Sequence, residues 1–148
     1  MQELEGGEPV IGKWLTLAAR LVVGALFVVA GALKLGDPQA FATEIANYRF
    51  VPALAPWLAV TLPPVEIVVG AALLVAPWKW RRAASLAAMG LLVMFLVGIA
   101  HVVHAGINVD CGCFGGNSGP VTAWTGVRDL LLLASAALVF RGTKEYAQ

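Results

Sequence analysis

The sequence predicts an all-α fold: an integral membrane four-helix bundle with a short interfacial helix between helices 1 and 2. Three observations predict it. Hydrophobic residues make up 59% of the 148 residues and charged residues only 13%, against about 45–50% and about 25% in soluble domains. Four runs of 20 or 21 residues are nearly free of charge, and about 20 mostly apolar residues suffice for a helix to cross the hydrocarbon core. None of these runs shows the period-2 alternation of a membrane barrel strand. A soluble fold of this size could not hide so much apolar surface, so the lipid bilayer is the first partner implied. The net charge of +1 argues against nucleic acid.

The first span covers residues 14–33, with one charge, Arg20. Ala30-Gly31-Ala32 resembles a signal-peptide cleavage site. The leading MQELEGGEP is acidic, however, the apolar stretch is long, and Arg20 interrupts it, so an uncleaved helix is expected. The connection that follows, residues 35–56, opens with Asp37-Pro38, an N-cap followed by proline at the first helical position. Phe41, Ile45 and Tyr48 then recur at spacings of 4 and 3, which predicts a short amphipathic helix at the membrane surface, ended by Pro52 and Pro56. The second span, 57–76, holds one charge, Glu66, directly after Pro63-Pro64. Proline removes a helical hydrogen bond, so an interruption is expected there. The third span, 83–103, has no Lys, Arg, Asp or Glu, and the basic turn WKWRR before it is short. Helices 2 and 3 should therefore be antiparallel neighbours. The fourth span, 121–140, carries Arg128 and Asp129 near its start. The domain reading is a transmembrane body over 14–140 between tails at 1–13 and 141–148.

Four spans put both termini on one side. That side carries Lys13, Lys79, Arg81, Arg82, Arg141 and Lys144, and the opposite side Lys34 and Arg49. The positive-inside rule makes the first side cytoplasmic. The protein is then expected in the inner (plasma) membrane with the loop at 105–119 facing the periplasm or cell exterior, a compartment that tolerates disulfides.

Charges inside hydrocarbon cost a few kcal/mol each on insertion scales, on the order of 3. Arg20, Gly24, Phe27, Gly31 and Lys34 form one stripe at spacings of 4, 3, 4 and 3. The glycines let a neighbouring helix approach, and Glu66 is the evident counter-charge for Arg20 or Lys34. The alternative is that both cations snorkel to their nearer surfaces.

The chain's two cysteines, Cys111 and Cys113, flank one glycine in a loop holding Gly106, Gly112, Gly115, Gly116 and Gly119. His101 and His104 lie one turn apart just upstream, and Arg128 and Asp129 just downstream. These four are expected to ring the cysteine loop. A cation beside a thiol favours the thiolate, and the start of the fourth helix adds its positive dipole end. Two cysteines separated by one residue can meet disulfide geometry in a turn. So small a closed ring stabilises little by entropy, which favours redox chemistry over a structural staple. Two alternatives remain open. His101 and His104 with Cys111 and Cys113 form a Cys₂His₂ set of the kind zinc accepts, although Cys-x-Cys makes a tight bite, or the thiols are inert.

The segments RLVVGALFVVAGALKL, FATEIANYRFVP, LPPVEIVVGAALLV, DCGCFG and WTGVRDLLLL, spanning residues 20–133, resemble the methylamine-utilisation MauE family within the DoxX-like group of four-helix membrane proteins. Where that family often has Asn after the last Arg, this chain has Asp129. The resemblance implies an inner-membrane protein that helps form disulfides in exported proteins, with the small subunit of methylamine dehydrogenase as the namesake's client. The architecture is also similar to DsbB and vitamin K epoxide reductase, which exchange disulfides with a quinone and carry a second cysteine pair that this chain lacks. The reading is therefore a membrane thiol–disulfide oxidoreductase whose Cys111/Cys113 pair works with His104 and Arg128. Arg20, Lys34, Glu66 and His101 would line a quinone cavity or form bundle ion pairs. The partner would be an exported thiol-containing client or a thioredoxin-like protein. The rival reading is a non-enzymatic membrane scaffold that recruits a thioredoxin-like redox partner.

Overall fold

The computed structural model describes residues 10–113 and 119–142. The acidic leader, the Phe114-Gly115-Gly116 part of the cysteine loop and Lys144 lie outside the described residues. Five α-helices follow in order: α1 (Val10–Gly36), α2 (Pro38–Asn47), α3 (Ala55–Val75), α4 (Trp78–Ala105) and α5 (Ala123–Gly142), with a 3₁₀ turn, Pro52–Leu54, leading into α3. α1, α3, α4 and α5 are each long and apolar enough to cross a membrane. The only β pairing among the described residues is the isolated bridge Asp110–Pro120. The chain is a multi-pass, all-helical membrane protein.

The four spans close a ring in which α1 packs on α3, α3 on α4, α4 on α5 and α5 on α1, while α2 lies against α3. Between lipid-covered helices the hydrophobic effect gives little drive, so close packing and polar contacts must hold them. The glycine stripe of α1 supplies the packing. A methyl group on Gly70 would lie 2.6 Å from the Gly24 carbonyl oxygen, and one on Gly31 would lie 2.7 Å from that of Pro63. α1 and α3 therefore touch backbone to backbone along an antiparallel crossing.

The interruption expected at Pro63-Pro64 is absent. α3 runs unbroken through both prolines. In hydrocarbon a fully broken turn would strand several backbone groups without water. Here Pro63 is instead buried against the close-packed α1. The anticipated cap of α2 is present: Asp37 accepts from the Ala40 amide at 2.9 Å, and Pro38 sits in the first turn. α2 ends earlier than its prolines suggested, at Asn47. Pro52 opens the 3₁₀ turn and Pro56 sits in the first turn of α3.

The apolar core gathers Val23 and Phe27 of α1, Leu73 of α3, Ala88 and Leu92 of α4, and Val139 of α5. The buried charged groups, Lys34, Glu66 and Asp129, collect beyond it toward the end that carries α2 and the cysteine loop. The opposite end is basic: Arg82 stacks 4.9 Å from the Phe140 ring, and Thr16 meets Gly142. Trp57 and Trp124 are exposed at the cysteine end, Trp14 and Trp80 at the basic end.

Candidate functional site

The cysteine loop leaves α4 through Gly106, which caps the helix in the left-handed region (φ 65°). Its base is pinned by two main-chain bonds, Cys111 N–H to the Gly119 carbonyl and Val121 N–H to the Val109 carbonyl, both 2.9 Å. Between them Cys111 and Cys113 are joined as a disulfide, with Cα atoms 5.4 Å apart, inside the range a disulfide needs. Gly112 supplies the bend at φ 67°, a conformation costly for any residue with a Cβ.

The two sulfurs have different surroundings. Cys111 is buried, and the Arg128 Nη2 atom lies 3.7 Å from its Sγ. The Tyr48 hydroxyl donates to its carbonyl at 2.7 Å. Cys113 is half-buried. It borders both a cavity of about 120 Å³ under α2 and a smaller recess of about 40 Å³ inside the bundle.

Arg128, near the start of α5, also holds Asp129 Oδ1 through Nε at 3.1 Å and Nη2 at 2.9 Å. Asp129 Oδ2 is buried with no hydrogen-bond partner among the described residues. Asp129 and Arg128 line the smaller recess together with Lys34, Glu66 and Cys113. Of the two α1 cations, Lys34 is the one that meets Glu66. Its Nζ donates to both carboxylate oxygens, at 2.6 and 2.9 Å, with both side chains almost wholly buried. The ammonium also lies 5.0 Å from the Phe41 ring centre and 4.9 Å from that of Phe95, a cation–π clamp. Snorkelling is thus not what Lys34 does. Arg20 is half-buried, and its Nε has no hydrogen-bond partner among the described residues.

Neither histidine lines a cavity that the cysteines border. His101 packs edge-on against Phe50, ring centres 5.2 Å apart, and His104 is exposed at the last turn of α4. Among the described residues, no three of His, Cys, Asp and Glu are placed to hold a metal ion, so the Cys₂His₂ set is not assembled here.

The larger cavity is apolar. Phe41, Phe50, Leu58, Leu62, Met94 and Phe95 wall it, and Cys111 and Cys113 border it. Arg20, Lys34, Glu66 and His101 do not line it. Its polar members come from α2, which the sequence marked only by an apolar stripe: Glu44 and Tyr48, one turn apart. Burial raises the Glu44 carboxyl above its usual range, with Asp110 adding to the rise and Lys34 opposing it. Burial likewise pushes the Tyr48 phenol up to about 12, so it remains a donor wherever thiols ionise.

No solved structure matches the chain. Two curated relatives do, both described as methylamine utilization protein MauE. The one from Paracoccus denitrificans is 35% identical over 128 residues, 84% of this chain and 68% of the relative. The one from Paracoccus versutus is 33% identical over 132 residues, 88% of this chain and 68% of the relative. The family model described as methylamine utilisation protein MauE matches residues 12–142, which cover all four spans and the cysteine loop, and this chain belongs to that family.

Proposed function

We propose that the chain is a thiol–disulfide exchanger of methylamine utilisation, working through Cys111 and Cys113 at the outer face of the inner membrane. One observation carries the reading: a guanidinium beside the buried sulfur of a disulfide whose other sulfur is half-exposed. That asymmetry assigns the order of events. A client thiolate attacks Cys113 Sγ, the Cys111–Cys113 bond breaks, and Cys111 leaves as a thiolate stabilised by Arg128. The client's second thiol then attacks the client sulfur of the mixed disulfide and releases Cys113. The client loses two electrons and two protons, and the pair gains them.

The pair must then be reoxidised, by the disulfide of a thioredoxin-like partner or by a lipid-soluble acceptor. The apolar cavity that touches both cysteines, walled by flat rings, suits a quinone, which when bound supplies a two-electron, two-proton sink. His104 is exposed at the last turn of α4 and lines neither cavity that the cysteines border, so this reading gives it no part beside the thiolate. Six Lys and Arg at or beside the basic end support a cytoplasmic location for that end.

Trapping tests the proposal. With a client peptide supplied as its disulfide, the Cys113 thiolate of Cys111→Ser should attack it, release one client thiolate and accumulate a mixed disulfide that no second cysteine resolves. Cys113→Ser should accumulate none, and both should remain folded. A double Cys→Ser variant that still supports client oxidation would show a scaffold for another redox protein instead.

A further inference from the structure

Exchange at this site needs a proton for Cys113 as it departs from the mixed disulfide, and the groups around it narrow what can supply one. Arg128 is a permanent cation and offers charge, not a transferable proton. Neither histidine lines a cavity that the cysteines border: His101 packs edge-on against Phe50, and His104 is exposed. α3 and α4 present only uncharged side chains to the larger cavity. The ionisable groups from α2 that share this cavity with the cysteines are Glu44 and Tyr48, and Tyr48 is committed to the Cys111 carbonyl.

Glu44 reaches over the cysteine pair itself. A methyl group on Gly112, the residue between the sulfurs, would lie 2.7 Å from Glu44 Oε2. That oxygen is buried and has no hydrogen-bond partner among the described residues. A buried carboxyl oxygen left without a partner costs free energy, and an idle one has no reason to sit at a disulfide.

We propose that Glu44 is the proton relay of the pair, giving a proton to Cys113 when its thiolate is released and taking one back when the disulfide re-forms. The assignment rests on the exchange reading above and deepens it. In the forward direction the carboxyl O–H bond breaks, the S–H bond of Cys113 forms, and the carboxylate is left facing Lys34 of α1. The proton lost by the client's thiol returns to Glu44 through the solvent at the loop. The charged groups that act on Glu44 are Asp110 from the loop and Asp37 from the start of α2, which both favour the protonated form, and Lys34, which opposes them. Burial, the largest cause, acts in the same sense as the two aspartates, so the carboxyl holds its proton to a higher pH than an exposed glutamate does.

The test uses the full chain in lipid nanodiscs and dithiothreitol as the reductant. The rate of reduction of Cys111–Cys113 is followed by alkylation mass shift between pH 5 and 9 and corrected for the reductant's thiolate fraction. The wild type should slow as pH rises through the Glu44 titration. Glu44→Gln should lose that limb and fall about 100-fold at the acidic plateau, within the usual range for general acid catalysis. Glu44→Asp should keep the limb at a reduced rate. Thermal unfolding of each variant separates a fold defect from a proton defect. A Glu44→Gln variant that keeps the wild-type pH limb overturns the assignment. Trapping with Cys111→Ser in the same preparation separates the two claims. A trapped client with an unchanged limb removes Glu44 and leaves exchange standing. A lost limb with no trapped client removes exchange with clients and leaves Glu44 as the pair's relay.

Discussion

Two ion pairs lie near the cysteine end of the bundle, and they differ in how much of their bonding capacity is already used. Lys34 and Glu66 are saturated: both carboxylate oxygens take the ammonium, two phenyl rings clamp it, and the side chains are 1% and 2% exposed. In the second pair, that of Arg128 and Asp129, Asp129 is not saturated. The guanidinium is 31% exposed and reaches a sulfur as well as its carboxylate, and one Asp129 oxygen has no hydrogen-bond partner among the described residues. A pair with every lone pair occupied fixes helices in register. A pair with spare capacity can respond when a neighbouring atom gains charge. On the exchange reading the first belongs to folding and the second to chemistry, although both line the recess beside Cys113.

Substitutions should break the two pairs in different ways. The largest effect on the fold is expected from Lys34→Met. Removing one partner leaves Glu66 uncompensated in the bundle, at a cost of about 3–5 kcal/mol. It should show as a large drop in the unfolding temperature in detergent. The double variant Lys34→Met/Glu66→Leu should recover most of the loss, because an apolar pair of similar volume replaces the charges. Arg128→Gln should lower the unfolding temperature less than Lys34→Met, because the guanidinium is 31% exposed and a Gln amide can still donate to Asp129, and slow disulfide exchange about ten- to hundred-fold, the equivalent of a charged hydrogen bond worth about 1.5–3 kcal/mol. If both substitutions damage stability equally, the division between the pairs fails. Tyr48→Phe is the smallest probe. It removes one hydrogen bond to the Cys111 carbonyl, worth about 0.5–1.5 kcal/mol. Faster exchange of amide hydrogens in the cysteine loop should reveal it, with the same size of effect from pH 6 to 9, because the phenol titrates only near 12.

Much of this was legible in the residue order, for identifiable reasons. Apolar runs of bilayer length can do little but span, and Asp37-Pro38 caps a helix by local chemistry alone. Gly24, Gly31 and Lys34 share a stripe because the helical period puts them there, and that stripe is what meets α3. The choice between Arg20 and Lys34 for Glu66 was not legible. It depends on the offset of two antiparallel helices, which the backbone approach of Gly70 to Gly24 sets. The expected break at Pro63-Pro64 failed because local hydrogen-bond loss was weighed without the tight packing of α1 that surrounds it.

Glu44 went unmarked, and Tyr48 was marked only as part of the apolar stripe, for a related reason. Their spacing of four places them one turn apart on α2, but only the tertiary fold shows that this face looks onto the cysteines. The histidines erred in the opposite direction. Closeness in sequence to Cys111 suggested a shared site, yet α4 ends at the left-handed turn of Gly106 and neither histidine lines a cavity that the cysteines border.

The four outward tryptophans, two at each rim, have a kinetic consequence. Indole rings settle at the lipid headgroups, so they hold the bundle at a fixed depth, with the cysteine loop at the end that carries Trp57 and Trp124. Under the proposed exchange, encounter with a client would be confined to a thin layer hugging the bilayer. A newly threaded polypeptide that lingers on the lipid would find the disulfide by a two-dimensional search, whereas one diffusing freely in the compartment must first return to that layer.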